Sequence, residues 1–368
     1  MSRRLTYLHR HQVDRLEMQN GAAVGVSGTT LAPDDAVQGA QTNRTSTGEF
    51  RVDADAVIVA SGGIGGNFEL IRKVWPTERL GPAPKNMLSG VPAHVDGRMI
   101  GIAEDAGGHV INRDRLWFYT EGVKNWDPIW PAHGIRILPG PSSMWFDARG
   151  NRFAPPAMPG FDTNGTFKAI LDTGYDYSWF VLTQKVIKKE FALSGSEQNP
   201  DLRSAKWGEV IKQRILSGKS ATGPVEAFKE HGADFVVADN LSDLVKEMNG
   251  LTDEALIEEA HLHRQIEARH YRGDKLIRTA KPHRFLDPNN GPLIAVRLNL
   301  ITRKTLGGLK TNLDSQMLDA TNTPIAGLYA AGEAAGFGGG GYHGYNSLEG
   351  TFLGGCIFSG RAAGRNAG

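Results

Sequence analysis

Four glycine clusters, each abutting an apolar run, constrain this chain more than any other feature; they fall at residues 62–66, 107–108, 307–308 and 336–344. Glycine makes up 46 of the 368 residues, against a usual share of about 7%, and the excess is not spread as linker. The first cluster follows Ala56-Val-Ile-Val-Ala60, the pattern of a short buried strand, closed by Ser61-Gly62-Gly63. Asn67-Phe-Glu-Leu-Ile-Arg-Lys73 then reads as a helix stopped before Pro76. Strand, glycine turn and helix in that order let a backbone approach a nucleotide. The same order also makes an ordinary tight turn, and the local sequence leaves both readings open.

The last cluster is more specific. Leu328-Tyr-Ala-Ala-Gly-Glu333 reads as a buried strand ending in Gly332-Glu333, and a loop follows over 334–350. From Thr351 to Gly364 the small-residue composition is that of a closely packed helix. Amides at the start of such a helix can touch a ligand, and its dipole favours an electron-rich group there.

Between the glycine-rich ends the composition changes. Residues 111–165 carry Trp117, Phe118, Tyr119, Trp126, Trp130 and Trp145 with many prolines, and read as packed irregular or β structure. Residues 166–285 are charge-rich and mostly helical in pattern, with Ser242 and Thr252 as N-caps, Asn249-Gly250 closing the first helix, Asp253-Glu254 in the first turn of the second and Gly273 as its stop. The expected organisation is an α/β nucleotide-binding domain built from residues 1–110 and 296–368, with an inserted domain over 111–295.

Charge and cysteine use exclude several classes. Lys+Arg 41 against Asp+Glu 40 leaves +1, which fits neither a polybasic nucleic-acid surface nor an acidic disordered tail. No stretch of about 18 apolar residues is present, so no membrane span is expected. Met1-Ser-Arg-Arg-Leu-Thr lacks a signal core, and the expected location is cytoplasmic. The one cysteine, Cys356, excludes an internal disulfide and a cysteine-built metal site, and reads as packing in the last helix. His261, His263 and His270 lack ligand spacing and read as a solvated helix face, so no metal is expected. Lys185-Val-Ile-Lys-Lys-Glu190 reads as a surface helix. No nucleophile elbow or P-loop lysine occurs, which sets acyl and phosphoryl transfer aside.

The run Ala60-Ser-Gly-Gly-Ile-Gly-Gly-Asn67, then Val95-Asp-Gly97, Leu306-Gly-Gly308 and Gly327-Leu-Tyr-Ala-Ala-Gly-Glu333 resembles the FAD-dependent fumarate reductase and succinate dehydrogenase flavoproteins. The ending Gly341-Tyr-His-Gly-Tyr-Asn-Ser-Leu-Glu-Gly350 and the helix after it are especially similar to predicted FAD-binding dehydrogenases grouped with the 3-ketosteroid Δ1-dehydrogenases. The likeness covers essentially the whole chain in order. It implies a Rossmann-like FAD-binding domain with an inserted α+β capping domain, and a small-molecule substrate. It also implies cofactor contacts. The Val13 backbone would meet the adenine, and Ala60, Ser61 and Gly62 the adenosine and diphosphate portion. Glu333 would meet the ribityl chain, the amides of Leu348 to Leu353, at the entry of the last helix, would reach the pyrimidine end of the flavin, and Gly332 and Ser347 are further cofactor-binding candidates.

The sequence departs from the family at two points. Residues 1–60 contain no Gly-x-Gly-x-x-Gly turn, so the expectation is a member lacking its first βαβ unit. A catalytically silent remnant, or a subunit that draws that segment from a partner, is the alternative. The dicarboxylate clamp of fumarate reductases is also absent: Tyr119 and Arg303 stand where its histidines would be, Ser347 stands at an arginine, and no Thr-Arg-Asp follows Gly150-Asn-Arg-Phe153. Fumarate and succinate are therefore set aside. The steroid dehydrogenases' tyrosine maps beside Asn346, next to Tyr345. Oxidation or reduction of a carbon–carbon bond beside a carbonyl is expected, with Tyr119, Arg303 and Tyr345 as catalytic candidates: a phenol exchanges a proton and a guanidinium polarises a carbonyl.

Overall fold

The computed structural model describes residues 5–336 and 351–368, apart from 139, 141, 160–161, 196–197, 200–206, 209–210, 212–219 and 269–283. The chain divides into two compact units. The first comprises Met1–Trp75, Val91–Trp117 and Lys304–Gly368, and the second Pro76–Gly90 and Phe118–Arg303.

In the first unit, strands His11–Gln19, Ala22–Leu31 and Ser46–Asp53 form an antiparallel meander. A second sheet holds Gln316–Leu318, Pro324–Ala330 and Val57–Val59 in that order. Its last two strands are parallel, with Leu328 opposite Val57 and Ala330 opposite Val59. Parallel pairing delivers Ala60-Ser61-Gly62 and Ala331-Gly332-Glu333 at the same end of the sheet, the carboxyl end, where α/β sheets place ligands. The helix after the first strand, Phe68–Lys73, starts as the sequence indicates: the Asn67 side chain accepts from the Leu70 amide at 2.9 Å and donates to the Asp96 carbonyl at 3.1 Å. The closing helix, Thr351–Asn366, is tied to the other parallel strand. The Tyr329 hydroxyl donates to the Asn366 carbonyl at 2.7 Å, and the Gly332 amide donates to Ser359 Oγ at 2.9 Å.

The second unit is built on a mixed sheet in which Ala192–Leu193, Gly134–Leu138, Leu116–Lys124, Leu293–Thr305, Tyr177–Thr183 and Met144–Phe146 follow one another. Phe235–Ala238 and Leu88–Ser89 also pair with the long strand Leu293–Thr305, whose final two residues belong to the first unit. Trp179, Phe180, Val181 and Leu182 are fully buried. Residues 166–285 are mostly helical where described, as expected, and Tyr177–Thr183 is the main exception: this aromatic and β-branched run is covered on both faces and takes an interior strand.

The caps also differ from expectation. Helix Leu241–Gly250 is capped by Asn240, whose side chain accepts from the Asp243 amide at 2.9 Å, and Ser242 lies inside it. The next helix starts only at Glu259, so Thr252, Asp253 and Glu254 precede it in a loop where the Thr252 hydroxyl donates to backbone carbonyls. Gly273 and His270 lie outside the described residues. Among those residues no helix is long and apolar enough to cross a membrane.

Two buried polar groups anchor the second unit. Asp234 is fully buried and accepts from Arg297 Nη2 at 2.8 Å and Nε at 3.0 Å, from the Lys124 amide at 2.7 Å and from Asn299 Nδ2 at 3.1 Å. His133 is 3% exposed and stacks on Trp130 with ring centroids 3.5 Å apart. Its Nδ1 accepts from the Ile129 amide at 3.1 Å, and burial lowers its pKa from 6.5 to about 4 against a smaller upward pull from Asp127. The unfolded chain therefore takes up the proton first. Stability is expected to fall as pH drops from about 6.5 to about 4, by roughly 3 kcal/mol at the lower limit. Urea melts of the protein and of His133→Asn check this. The variant should lose the slope between pH 6.5 and 5, and an unchanged slope there would contradict the assignment.

Candidate functional site

A closely packed polar cluster of the first unit lies at the carboxyl ends of its two parallel strands. Gly62 has φ +83°, a backbone that side chains rarely adopt, although a Cβ there would meet only Val95 Cγ1 at 3.6 Å. Gly63 faces the opposite constraint, because a Cβ on it would overlap Thr305 Oγ1 and Glu333 Oε1. The turn thus presses its backbone against a carboxylate. That carboxylate is held from two sides: the Thr305 amide donates to Glu333 Oε1 at 2.9 Å, and Lys304 Nζ donates to Oε2 at 3.3 Å. The Thr305 hydroxyl in turn accepts from the buried Ile64 amide at 2.8 Å. Ala60 and Ser61 are exposed, and Glu333 is half-buried.

Of the remaining expected cofactor residues, Val13 sits in the meander opposite Gly28, and its carbonyl accepts from Arg98 Nε at 3.4 Å. Leu353 lies on the first turn of the closing helix with its side chain 65% exposed, while neighbouring Phe352 is buried edge-on against Trp117, ring centroids 5.8 Å apart. Ser347, Leu348 and Tyr345 lie outside the described residues, as does the Gly338–Gly341 run. Gly62, Gly332 and Glu333 are therefore brought to one end of one sheet, whereas Val13 belongs to a different sheet.

The catalytic candidates of the second unit stand in separate surroundings. Tyr119, on strand Leu116–Lys124, is 5% exposed, with the Arg136 guanidinium carbon 3.7 Å from the centre of its ring. Arg136 Nε lies 3.9 Å from Glu121 Oε2. Glu121 is 1% exposed, and burial holds its carboxyl above the usual range despite the pull of Arg136 and the Thr120 amide. Arg303, near the end of the long strand, donates from Nη1 to the Gly90 carbonyl. Among the described residues no group of three His, Cys, Asp or Glu side chains could hold a metal. His261 and His263 lie in helix Glu259–Glu267, where His261 Nε2 is 2.8 Å from Asn151 Oδ1.

Sequence reasoning missed Thr305, Lys304, Glu121 and Arg136. Thr305 carried a signal, because it directly precedes the Leu306-Gly307-Gly308 motif. Glu121 and Arg136 carried none: they meet because their strands pair, with Gly122 opposite Arg136.

Comparison with known proteins places these features in context. A family model described as FAD binding domain matches residues 1–353. The chain is similar to a KsdD-like steroid dehydrogenase of Mycobacterium tuberculosis, 56% identical over 98% of this chain and 67% of the relative. It is also similar to a KsdD-like steroid dehydrogenase of Mycolicibacterium smegmatis, 55% identical over 95% of this chain and 67% of the relative. Among solved structures it is similar to the 3-ketosteroid delta1-dehydrogenase of Sterolibacterium denitrificans, with a TM-score of 0.59 and 20% identity over 96% of this chain and 58% of that one. At that identity the likeness is one of fold. The chain spans about two thirds of the length of these curated relatives and less than three fifths of the solved structure.

Proposed function

The chain belongs to the FAD binding domain family, and from that premise we propose that it is the main body of a flavin-dependent dehydrogenase acting on a carbon–carbon bond beside a ketone, with a 3-ketosteroid-like substrate. The first unit is assigned to FAD and the second to a cap that carries substrate-handling residues. The observation that carries this reading is the Gly63–Thr305–Glu333 cluster. A glycine turn with no room for a Cβ, next to an oriented carboxylate at the carboxyl end of parallel strands, suits a ligand that brings hydroxyls and phosphates to the backbone.

The residues present fit FAD. Glu333 would accept from ribityl hydroxyls, the Ala60-Ser61-Gly62 turn would face the adenosine and diphosphate portion, and the N-terminus of helix Thr351–Asn366 would favour negative charge on the flavin. Val13, Gly332, Ser347, Leu348 and Leu353 complete the proposed contacts. When bound, FAD supplies the hydride acceptor for a substrate C–H bond.

The protein's own part is to hold the ketone and move a proton. The Tyr119 side chain, or that of Tyr345, acts as the phenolate and takes the proton from the carbon next to the one losing hydride, and Arg303 polarises the carbonyl so that this carbon becomes acidic. Arg136 over the Tyr119 ring, with Glu121 beside it, stabilises the phenolate from which this step starts.

The test is anaerobic mixing of the flavin-loaded protein with a 3-ketosteroid, followed by flavin absorbance. Bleaching is expected with the ketosteroid and not with succinate. Tyr119→Phe should slow it by about 100-fold or more. Bleaching by neither compound would sink the substrate reading, and an undiminished rate in the variant would remove Tyr119 from the mechanism.

A further inference from the structure

Thr305 joins segments that are far apart in sequence. It is 4% exposed, and its hydroxyl accepts from the Ile64 amide at 2.8 Å across 241 residues of chain. Its own amide donates to Glu333 Oε1 at 2.9 Å, and Gly63 packs against both its side chain and that carboxylate. The two bonds differ in what they require. Any residue with a backbone N–H serves Glu333, but only a hydroxyl at this position accepts from Ile64.

We infer that Thr305 is a positioning residue of the cofactor cradle, locking the Gly62–Gly66 turn and the Glu333 carboxylate into one arrangement before FAD arrives. The inference rests on the FAD assignment above. It follows from the cost of the alternative: without the hydroxyl the Ile64 amide is a buried donor with nothing to bond, so the turn relaxes until water reaches it. The turn then leaves its place beside Glu333, and the cofactor must itself order two groups that are otherwise fixed in advance.

The experiment compares FAD binding and amide hydrogen exchange in the wild type, Thr305→Val and Thr305→Ser. Valine keeps the shape and the backbone amide, and serine restores the acceptor. Thr305→Val is expected to bind FAD at least about tenfold more weakly and to exchange the Ile64 amide at least about tenfold faster without cofactor. Thr305→Ser should stay within about twofold of wild type in both. A merely structural residue would lower the melting point of Thr305→Val without changing the affinity of the folded fraction. That result, or rapid Ile64 exchange in the wild type, would overturn the inference. If the wild type holds no FAD, the cofactor assignment fails, and the exchange arm, read without cofactor, still decides whether Thr305 holds the turn. Should Thr305→Val not fold, Thr305→Ala takes its place in both measurements.

Discussion

Gly63→Ala is expected to leave the protein unable to retain FAD. The added methyl would overlap Thr305 Oγ1 and Glu333 Oε1, and neither group can retreat cheaply. Thr305 is bonded through its hydroxyl to Ile64, and Glu333 is bonded to the Thr305 amide and to Lys304. The substitution therefore displaces the carboxylate assigned to the ribityl chain and opens the turn assigned to the diphosphate. Overpacking of this kind costs about 1–3 kcal/mol of stability, and loss of the two sets of contacts should weaken FAD by about 100-fold or more. Gly62→Ala is the control. It has space for the methyl and only the positive φ to overcome, a strain of about 1–2 kcal/mol, and it should keep measurable flavin. Flavin absorbance per mole of protein after desalting reads both variants. Gly63→Ala holding FAD as tightly as wild type would show that the crowding at this turn has nothing to do with the cofactor.

Asp234→Ala carries the largest expected effect on stability. The carboxylate is wholly buried, takes four donors and is the ion-pair partner of Arg297, whose side chain is 16% exposed. Removing it leaves a mostly buried guanidinium without its counter-charge, the Lys124 amide without its acceptor and the Asn299 amide with only a long bond to the Gly122 carbonyl. Breaking a buried pair from one side typically costs about 3–5 kcal/mol, enough to unfold a marginal domain. Urea denaturation of the second unit's signal measures this. Arg297→Met placed on Asp234→Ala should recover part of the loss, because an apolar pair replaces an orphaned charge. A loss below about 1 kcal/mol would mean that the pair is solvated.

The parts of the fold that were legible in the sequence are those written in local patterns. Val57–Val59 and Pro324–Ala330 announce themselves as apolar runs closed by glycine, and the helix Phe68–Lys73 is recognisable as the run that ends before Pro76. Tyr177–Thr183 was hidden because a short apolar run fits a buried helix as well as a buried strand, and the charged segments around it favour the helix. Glu333 and the Gly62-Gly63 turn were legible as motif residues. Thr305 as their link was not, since the link is a contact across 241 residues of chain that no local pattern encodes. Arg136 over Tyr119 and against Glu121 has the same origin, a hairpin register that composition does not encode.

The central claim is that the cluster at the carboxyl ends of the two parallel strands is the seat of FAD. The most direct measurement is to mix the 368-residue chain with excess FAD, remove the unbound fraction and record the visible spectrum, alongside Glu333→Gln. A retained flavin with a spectrum shifted from that of free FAD is predicted for the wild type, and a loss of about tenfold or more in affinity for Glu333→Gln. A folded wild-type chain that emerges colourless, or a Glu333→Gln variant that holds FAD equally well, would contradict the account.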